Sequence, residues 1–533
     1  MKKKNTKEFV KILLLSVIIP FALVFIIENL IKNFKSRDYD INIVNCTKDT
    51  LPSIVDHSEF EILKKKFTNP SELTQACISC HNKRDEEVMA SSHWTWDRLV
   101  VRENGDSVRM GKKNMINNYC IATNTNTWKC TSCHAGYGYK DKNFDFKDTK
   151  KMDCIVCHDK TGAYDKQPLG SGFPVEEKRK FGDKTYFTPD YNYIARNVGK
   201  PTIRNCGKCH FFGGGGNNVK HGDLSDDLFH ADKDMDVHMD ENGNKMSCID
   251  CHKTNRHNMK GKLYRSMPIN KDRLYCYDCH TEAPHVNNTL NRHTNKISCQ
   301  TCHIPVYAKG APTKMSWDWS QAGKLNKRGY RISEHDSLGK STFKTEKGAF
   351  TWESNVIPEY VWSNGNVEHY IYGDKIKDTS KILKINKIHG NYGDSSSKII
   401  PVKIHRGKQI FDTENSVLIP PHVYGDKKDA FKKGLDWKLS SAKGMKEAGL
   451  EFSGKYSFIK TEMHYPINHM VAPVEKSLKC IDCHSKNGRL ENLKGFYMPG
   501  RDSNAILDWM GILMIIGALG GVLVHGLIRV FKK

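Results

Sequence analysis

Residues 130–158 read CTSCHAGYGYKDKNFDFKDTKKMDCIVCH, and this stretch holds two copies of one five-residue pattern. Cys-x-x-Cys-His begins at Cys130 and again at Cys154, and six further copies begin at Cys77, Cys206, Cys248, Cys276, Cys299 and Cys480. The second cysteines are Cys80, Cys133, Cys157, Cys209, Cys251, Cys279, Cys302 and Cys483. The closing histidines are His81, His134, His158, His210, His252, His280, His303 and His484. Together the copies use sixteen of the eighteen cysteines. Two thiols three residues apart can add across the vinyl groups of one haem, and the histidine that follows reaches the iron from one face. Zinc also takes Cys-x-x-Cys pairs, but a zinc knuckle has no use for a histidine directly after every second cysteine. The pattern predicts eight covalently bound haem c groups.

Porphyrins can replace side chains as core, which fits a hydrophobic fraction of only 38%. The expected fold is therefore mainly α, a multihaem cytochrome c with short helices and long loops around stacked haems, little sheet, and two transmembrane helices. Seven motifs crowd between Cys77 and His303, too densely for an independent apolar core, whereas 304–479 has none. That segment carries Trp317, Trp319, Trp352 and Trp362, a strand-like stretch at 359–372 and a helical run at 427–450, and reads as a region wrapping the haems. The expected division is 1–35 as an N-terminal membrane anchor, 36–303 as a haem region, 304–479 as the motif-free wrap, 480–504 around the eighth motif, and 505–533 as a C-terminal transmembrane helix with a basic tail.

Residues 12–27, ILLLSVIIPFALVFII, follow Lys2, Lys3, Lys4, Lys7 and Lys11 and precede no small-x-small cleavage site, so an uncleaved anchor is expected. The second apolar run, 509–528, is followed by Arg529, Lys532 and Lys533 and carries His525 and a Gly517-x-x-x-Gly521 step. Positive charge on the outer flank of both runs predicts cytoplasmic termini at a bacterial inner membrane, with the haem domain in the periplasm. The formal charge of +23 is not a nucleic-acid signature here, because each haem brings two propionates. A basic excess around an open iron would favour a small anionic substrate.

Sixteen histidines lie outside the motifs, enough to close every iron with a second imidazole. Those nearest motifs are the candidate distal ligands: His93, His221, His238, His257, His285, His293 and His469, with His57 as an eighth. The second motif has no histidine close by beyond its own, and Lys140 and Lys142 follow it instead. A lysine amine binds iron when burial keeps it unprotonated. Cys46 and Cys120 are left over, as a disulfide, as buried thiols or, for Cys120, as a redox thiol beside the second haem.

Several long strings resemble the octahaem tetrathionate reductase family. They are DHSEF from Asp56, HWTWD from His93, CTSCHAGYGYKD with FDF, DCIVCHDKTGAY, CHFFGGGGNNVKHGDL, DVHMD and CQTCHIP, then AKGMKEAGLEFSG, TEMHYPINHMVAPVE, CIDCH and GFYMPGRD. The family is related to hydroxylamine oxidoreductase and pentahaem nitrite reductase. The resemblance implies a catalytic haem at the second motif ligated by a lysine, here Lys140 or else Lys142, with seven bis-histidine haems as a wire. Cys120, Tyr137 and Tyr139 lie close by as local candidates. The implied reaction is two-electron reduction of tetrathionate to thiosulfate, with nitrite or hydroxylamine as alternative substrates. Calcium near that haem follows by analogy with the nitrite reductases. Two anchors favour a quinol-oxidising membrane partner of the cytochrome b type. Rival readings are an electron conduit with every iron closed, and an oxidase like hydroxylamine oxidoreductase.

Overall fold

In the computed structural model, residues 55–102, 104–118, 123–261 and 273–531 are described. The first apolar run, Cys46, Cys120, Lys532 and Lys533 lie outside them. Most motifs fold as single short turns, while the first and fourth end the longer helices Pro70–Cys80 and Ile203–His210. In the first, third, fifth, sixth and eighth, the histidine N–H donates to the carbonyl of the first cysteine, at 2.8–3.1 Å. Sequence starts these turns. Asn69 caps the helix Pro70–Cys80 from its own side chain, with Pro70 at the first position. In the two CIDCH copies the aspartate turns back: Asp250 accepts from the Ser247 N–H at 2.6 Å and Asp482 from the Lys479 N–H at 2.7 Å.

The expectation of a mainly helical fold is corrected by the 304–479 segment. It forms all of a nine-stranded mixed sheet, whose main path runs Leu383–Lys384, Tyr456–Pro466, Lys398–Asp412, Thr313–Asp318, Gly348–Glu353, Ser341–Lys344, Ser333–His335. Glu359–Ser363 and Val417–Leu418 also pair with Lys398–Asp412. That long strand lies antiparallel to Tyr456–Pro466, from Val402↔Pro466 to Asp412↔Tyr456, and parallel to Thr313–Asp318. Its sequence, KIIPVKIHRGKQIFD, carries five β-branched residues and is buried at ten of fifteen positions, with 401–405 buried in succession as a strand covered on both faces there requires. Reading the segment as a wrap undervalued these apolar runs, because motif density says nothing about a stretch without motifs. The aromatic core joins Trp317, Trp319, Phe350, Phe431, Trp437 and Tyr465. The expected helical run appears as Phe431–Gly434 and Trp437–Ala448, broken at Leu435, whose φ is +55°.

The sheet grips the motif-bearing chain. Lys403 is fully buried, and its amine donates to the carbonyls of Val219 (2.9 Å) and Lys220 (3.1 Å) and to Thr313 Oγ1 (2.5 Å). The Asn118 amide donates to the His405 carbonyl at 2.6 Å, and Gln409 donates to the Asn117 carbonyl at 2.7 Å. Within the seventh motif, Thr301 Oγ1 donates to the Ile399 carbonyl at 2.8 Å.

Two compact units divide the chain. One comprises Cys46–Tyr275 and Ser298–Leu478, with the sheet and six motifs. The other comprises Met1–Asn45, Cys276–Ile297 and Lys479–Lys533, with the sixth and eighth motifs. In the latter, Ala505–Phe531 is a helix of 27 residues with mean hydropathy 2.2 in its most apolar window and none of that window buried. At 1.5 Å per residue it spans about 40 Å, enough for a bilayer core. Among the described residues it is the one helix of that length and character, where two were expected; the other expected span lies outside them.

Haem-binding motifs and the second-motif site

Five motif histidines each face a second histidine at nearly one separation. Ring centres lie 6.0 Å apart for His57 and His81, 6.2 Å for His93 and His210, and 6.4 Å for His158 and His257. They lie 6.2 Å apart for His252 and His469 and for His293 and His484. An iron about 2 Å from each ring nitrogen, with the nitrogen about 1 Å from its ring centre, sets two centres about 6 Å apart. The spacing fits a metal between the rings.

The other ring nitrogens agree. Nδ1 of His158 faces the Gly199 carbonyl at 2.9 Å, His252 that of Lys260 at 3.0 Å, His293 that of Thr289 at 2.6 Å and His484 that of Pro499 at 2.9 Å. Nδ1 of His257 faces Glu87 Oε2 at 2.9 Å, and that of His469 faces Asp223 Oδ2 at 3.1 Å. Engaging Nδ1 fixes the tautomer and aims Nε2 at a metal. His285 is held the same way by Asn291 at 3.2 Å, and His238 more loosely by Asp236 at 3.6 Å. His221 packs edge-on against Tyr465.

The motif cysteines also gather. Cys77 lies against Cys154, Cys133 against Cys209 and Cys206 against Cys248, with Cys157 near Cys206. The third, fifth and second motifs thus each adjoin the fourth, and the first adjoins the third.

The second motif departs from the rest. Its histidine N–H reaches back only to the Thr131 carbonyl at 2.9 Å, in the tighter turn Thr131–Cys133. The His134 ring is fully buried among Trp94, Trp96, Tyr139, Phe144 and Phe146. Its Nε2–H donates to the Trp94 carbonyl at 2.7 Å, and Nδ1 is buried without a hydrogen-bond partner. Burial pulls this imidazole down to about 3, so it is neutral. The nitrogen that a motif histidine would offer to iron is committed elsewhere.

A buried amine stands beside it. Lys166, with its side chain 5% exposed, donates to the carbonyls of His134 (2.5 Å) and Gly136 (3.2 Å) and pairs with Asp153 at 2.8 Å. Tyr164 donates to the same carboxylate at 2.8 Å and lies 3.3 Å from the Tyr137 hydroxyl. Lys112 and Lys220 lie near Cys133 and His210, and Lys220 lies near His369. Burial, with Lys112 nearby, pushes the Lys220 amine down to about 8. Tyr372 borders Cys130 and Tyr139.

A crystal structure of an octahaem cytochrome c from Shewanella oneidensis is similar to this chain at 43% identity and a TM-score of 0.74, covering 82% of this chain and 95% of that one. The chain is a multihaem c-type cytochrome. A family model described as bacterial cytochrome c matches residues 314–487, so the match lies mostly on the sheet and reaches the eighth motif. An uncharacterised protein from Archaeoglobus fulgidus is 24% identical over 242 residues, 38% of this chain and 80% of the relative. Covalently bound haem c is the cofactor of this cytochrome.

Of the residues singled out in the sequence, the structure pairs His57, His93, His257, His293 and His469 with motif histidines. Lys140 and Lys142 are exposed, and Tyr137 and Tyr139 are buried. Lys166, Lys112, Lys220 and His369 were missed. Lys166 follows the quoted DKTGAY by two residues, and only the burial of Asp153 and Tyr164 distinguishes it from other loop lysines. Among the described residues no group of three or more His, Cys, Asp or Glu side chains is set to hold a further metal ion.

Proposed function

We propose that this cytochrome is a membrane-anchored periplasmic octahaem reductase, which reduces tetrathionate to thiosulfate at the haem carried by Cys130 and Cys133, with nitrite and hydroxylamine as further substrates. The observation that carries the reading is the second motif: His134 commits its Nε2 to the Trp94 carbonyl, and Lys166 is the buried amine beside it. On this reading Lys166, rather than the exposed Lys140 or Lys142, would hold the iron of this haem once its amine gives up a proton, and the haem would supply the site at which an anion binds.

When bound, the haems supply electrons one at a time and an iron to which an anion can attach. The residues around them do the rest. Tetrathionate takes two electrons, its central S–S bond breaks, and two thiosulfates leave without a proton. One dianion becomes two, so Lys112 and Lys220 would offset charge that grows during the reaction. The aromatic box keeps water from the His134 side, and Asp153 and Tyr164 orient Lys166. The helix Ala505–Phe531 anchors the protein beside a quinol-oxidising cytochrome b-type partner, with both termini cytoplasmic.

Low-temperature EPR of the oxidised holoprotein tests this. One signal distinct from the bis-histidine set, lost in Lys166→Met and kept in Lys140→Ala and Lys142→Ala, is the expected result. Eight bis-histidine signals unmoved by all three substitutions would leave an electron conduit.

A further inference from the structure

Three haem positions in the sheet-bearing unit differ in what stands behind their distal histidines. At the fifth motif, His469 faces His252, and behind it lies Asp223. That carboxylate is fully buried. Its Oδ2 accepts from the backbone N–H groups of Asn468 (2.8 Å) and His469 (3.0 Å) as well as from His469 Nδ1 (3.1 Å). Its Oδ1 is buried without a hydrogen-bond partner, so His469 is the one side chain hydrogen-bonded to this carboxylate among the described residues. At the third motif, His257 faces His158, and Glu87 Oε2 stands 2.9 Å behind it. Here Arg84 pairs with the other carboxylate oxygen and takes up part of the charge. At the fourth motif, between His93 and His210, the charges nearby are cationic: Lys112 lies near both rings and Lys220 near His210.

These arrangements act in opposite directions. A carboxylate accepting the Nδ1 proton makes the imidazole a stronger donor, which favours Fe(III) and lowers the reduction potential. A cation nearby favours the iron with less positive charge and raises it. The fourth motif adjoins the third, the fifth and the second through neighbouring cysteines.

From these contacts we infer that Asp223 and Glu87 are positioning residues that hold the fifth and third haems at lower potential than the fourth, so that electrons collect at the fourth haem, next to the second-motif site. The inference rests on reading the paired histidines as axial ligands and deepens the proposed reductase.

EPR-monitored redox titration of the full holoprotein in detergent, with dithionite as reductant, tests it. Asp223→Asn is expected to raise the midpoint potential of one low-spin haem, and Asp223→Glu to restore it. Glu87→Gln is expected to raise a different haem by a smaller amount, since Arg84 already shares that carboxylate. Glu87 is a partly exposed residue on a short helix, so its variant keeps the test open should the buried Asp223 change impair folding. Midpoints unmoved in both Asp223→Asn and Glu87→Gln, with every low-spin signal retained, would overturn the tuning role. His469→Ala tests the ligand assignment separately: it is expected to turn one haem high-spin, and an unchanged low-spin set would overturn the assignment together with the tuning.

Discussion

At the second motif, single residues decide what the chain can do. His134 could enter its aromatic box only because Gly136 beside it has no side chain: a Cβ there would lie 2.6 Å from the Trp94 ring and 3.0 Å from the His134 ring. Gly172 closes the same loop from the other side. Its φ is +92°, and a Cβ would lie 2.3 Å from the Gly136 carbonyl oxygen. Gly172→Ala is therefore expected to cost about 1–3 kcal/mol, because both the backbone angle and the contact resist a side chain. A lower melting temperature together with a changed lysine-haem EPR signal would check it, whereas a lower melting temperature with that signal intact would separate stability from ligation. None of this could be read in the sequence. The tyrosines and glycines of CTSCHAGYGYKD are visible there, but a 3.6-residue turn and a tighter one look the same in five letters. Proximity along the chain favoured Lys140, whereas burial favours Lys166.

At the scale of elements, the motifs were fully legible and the sheet was not. Attachment chemistry is local: two cysteines and a histidine in five residues, capped by Asn69, Asp250 or Asp482, specify their own turn. The strand Lys398–Asp412 takes its meaning from partners far away in sequence, Tyr456–Pro466 on one side and Thr313–Asp318 on the other. Only its apolar, β-branched composition hinted at it. Lys403 illustrates the difficulty, since a lysine inside a strand ordinarily argues for solvent on that face. Here three acceptors hold it in the interior, and burial drives its amine well below the usual lysine range. Lys403→Met would leave the Val219 and Lys220 carbonyls and the Thr313 hydroxyl without that donor. A loss of about 1–3 kcal/mol is expected in chemical denaturation. The visible spectrum should also change if the Val219–Lys220 segment moves the fourth haem's surroundings.

The whole molecule has two kinds of interior. The sheet region builds a continuous aromatic core, from Trp317 and Phe350 to Met463 and Tyr465, that takes in only Ile116 and Val219 from the motif-bearing chain. The motif region has smaller apolar clusters, such as Leu63, Phe67, Leu73 and Ile194, which leaves room for porphyrins as core. The low hydrophobic fraction seen in the sequence averages these two, which is why it suggested one haem-filled fold. A chain produced without haem attachment should therefore lose the motif region first. Limited proteolysis is expected to leave a resistant fragment containing 313–466, and digestion of that segment at the same rate as the motifs would contradict a self-sufficient sheet.

The grip of the sheet on the motif-bearing chain also governs where this protein can change length. Side chains alternate between the faces of a strand, so deleting one residue between Val402 and Ile410 would turn Lys403 or Gln409 to the wrong side. The segments at 117–118 and 219–220 would lose their holds at once. Insertions at the turns 326–330 or 413–416 would disturb none of these contacts. Relatives of different sizes can be expected to differ at such turns and to keep the long strand residue for residue.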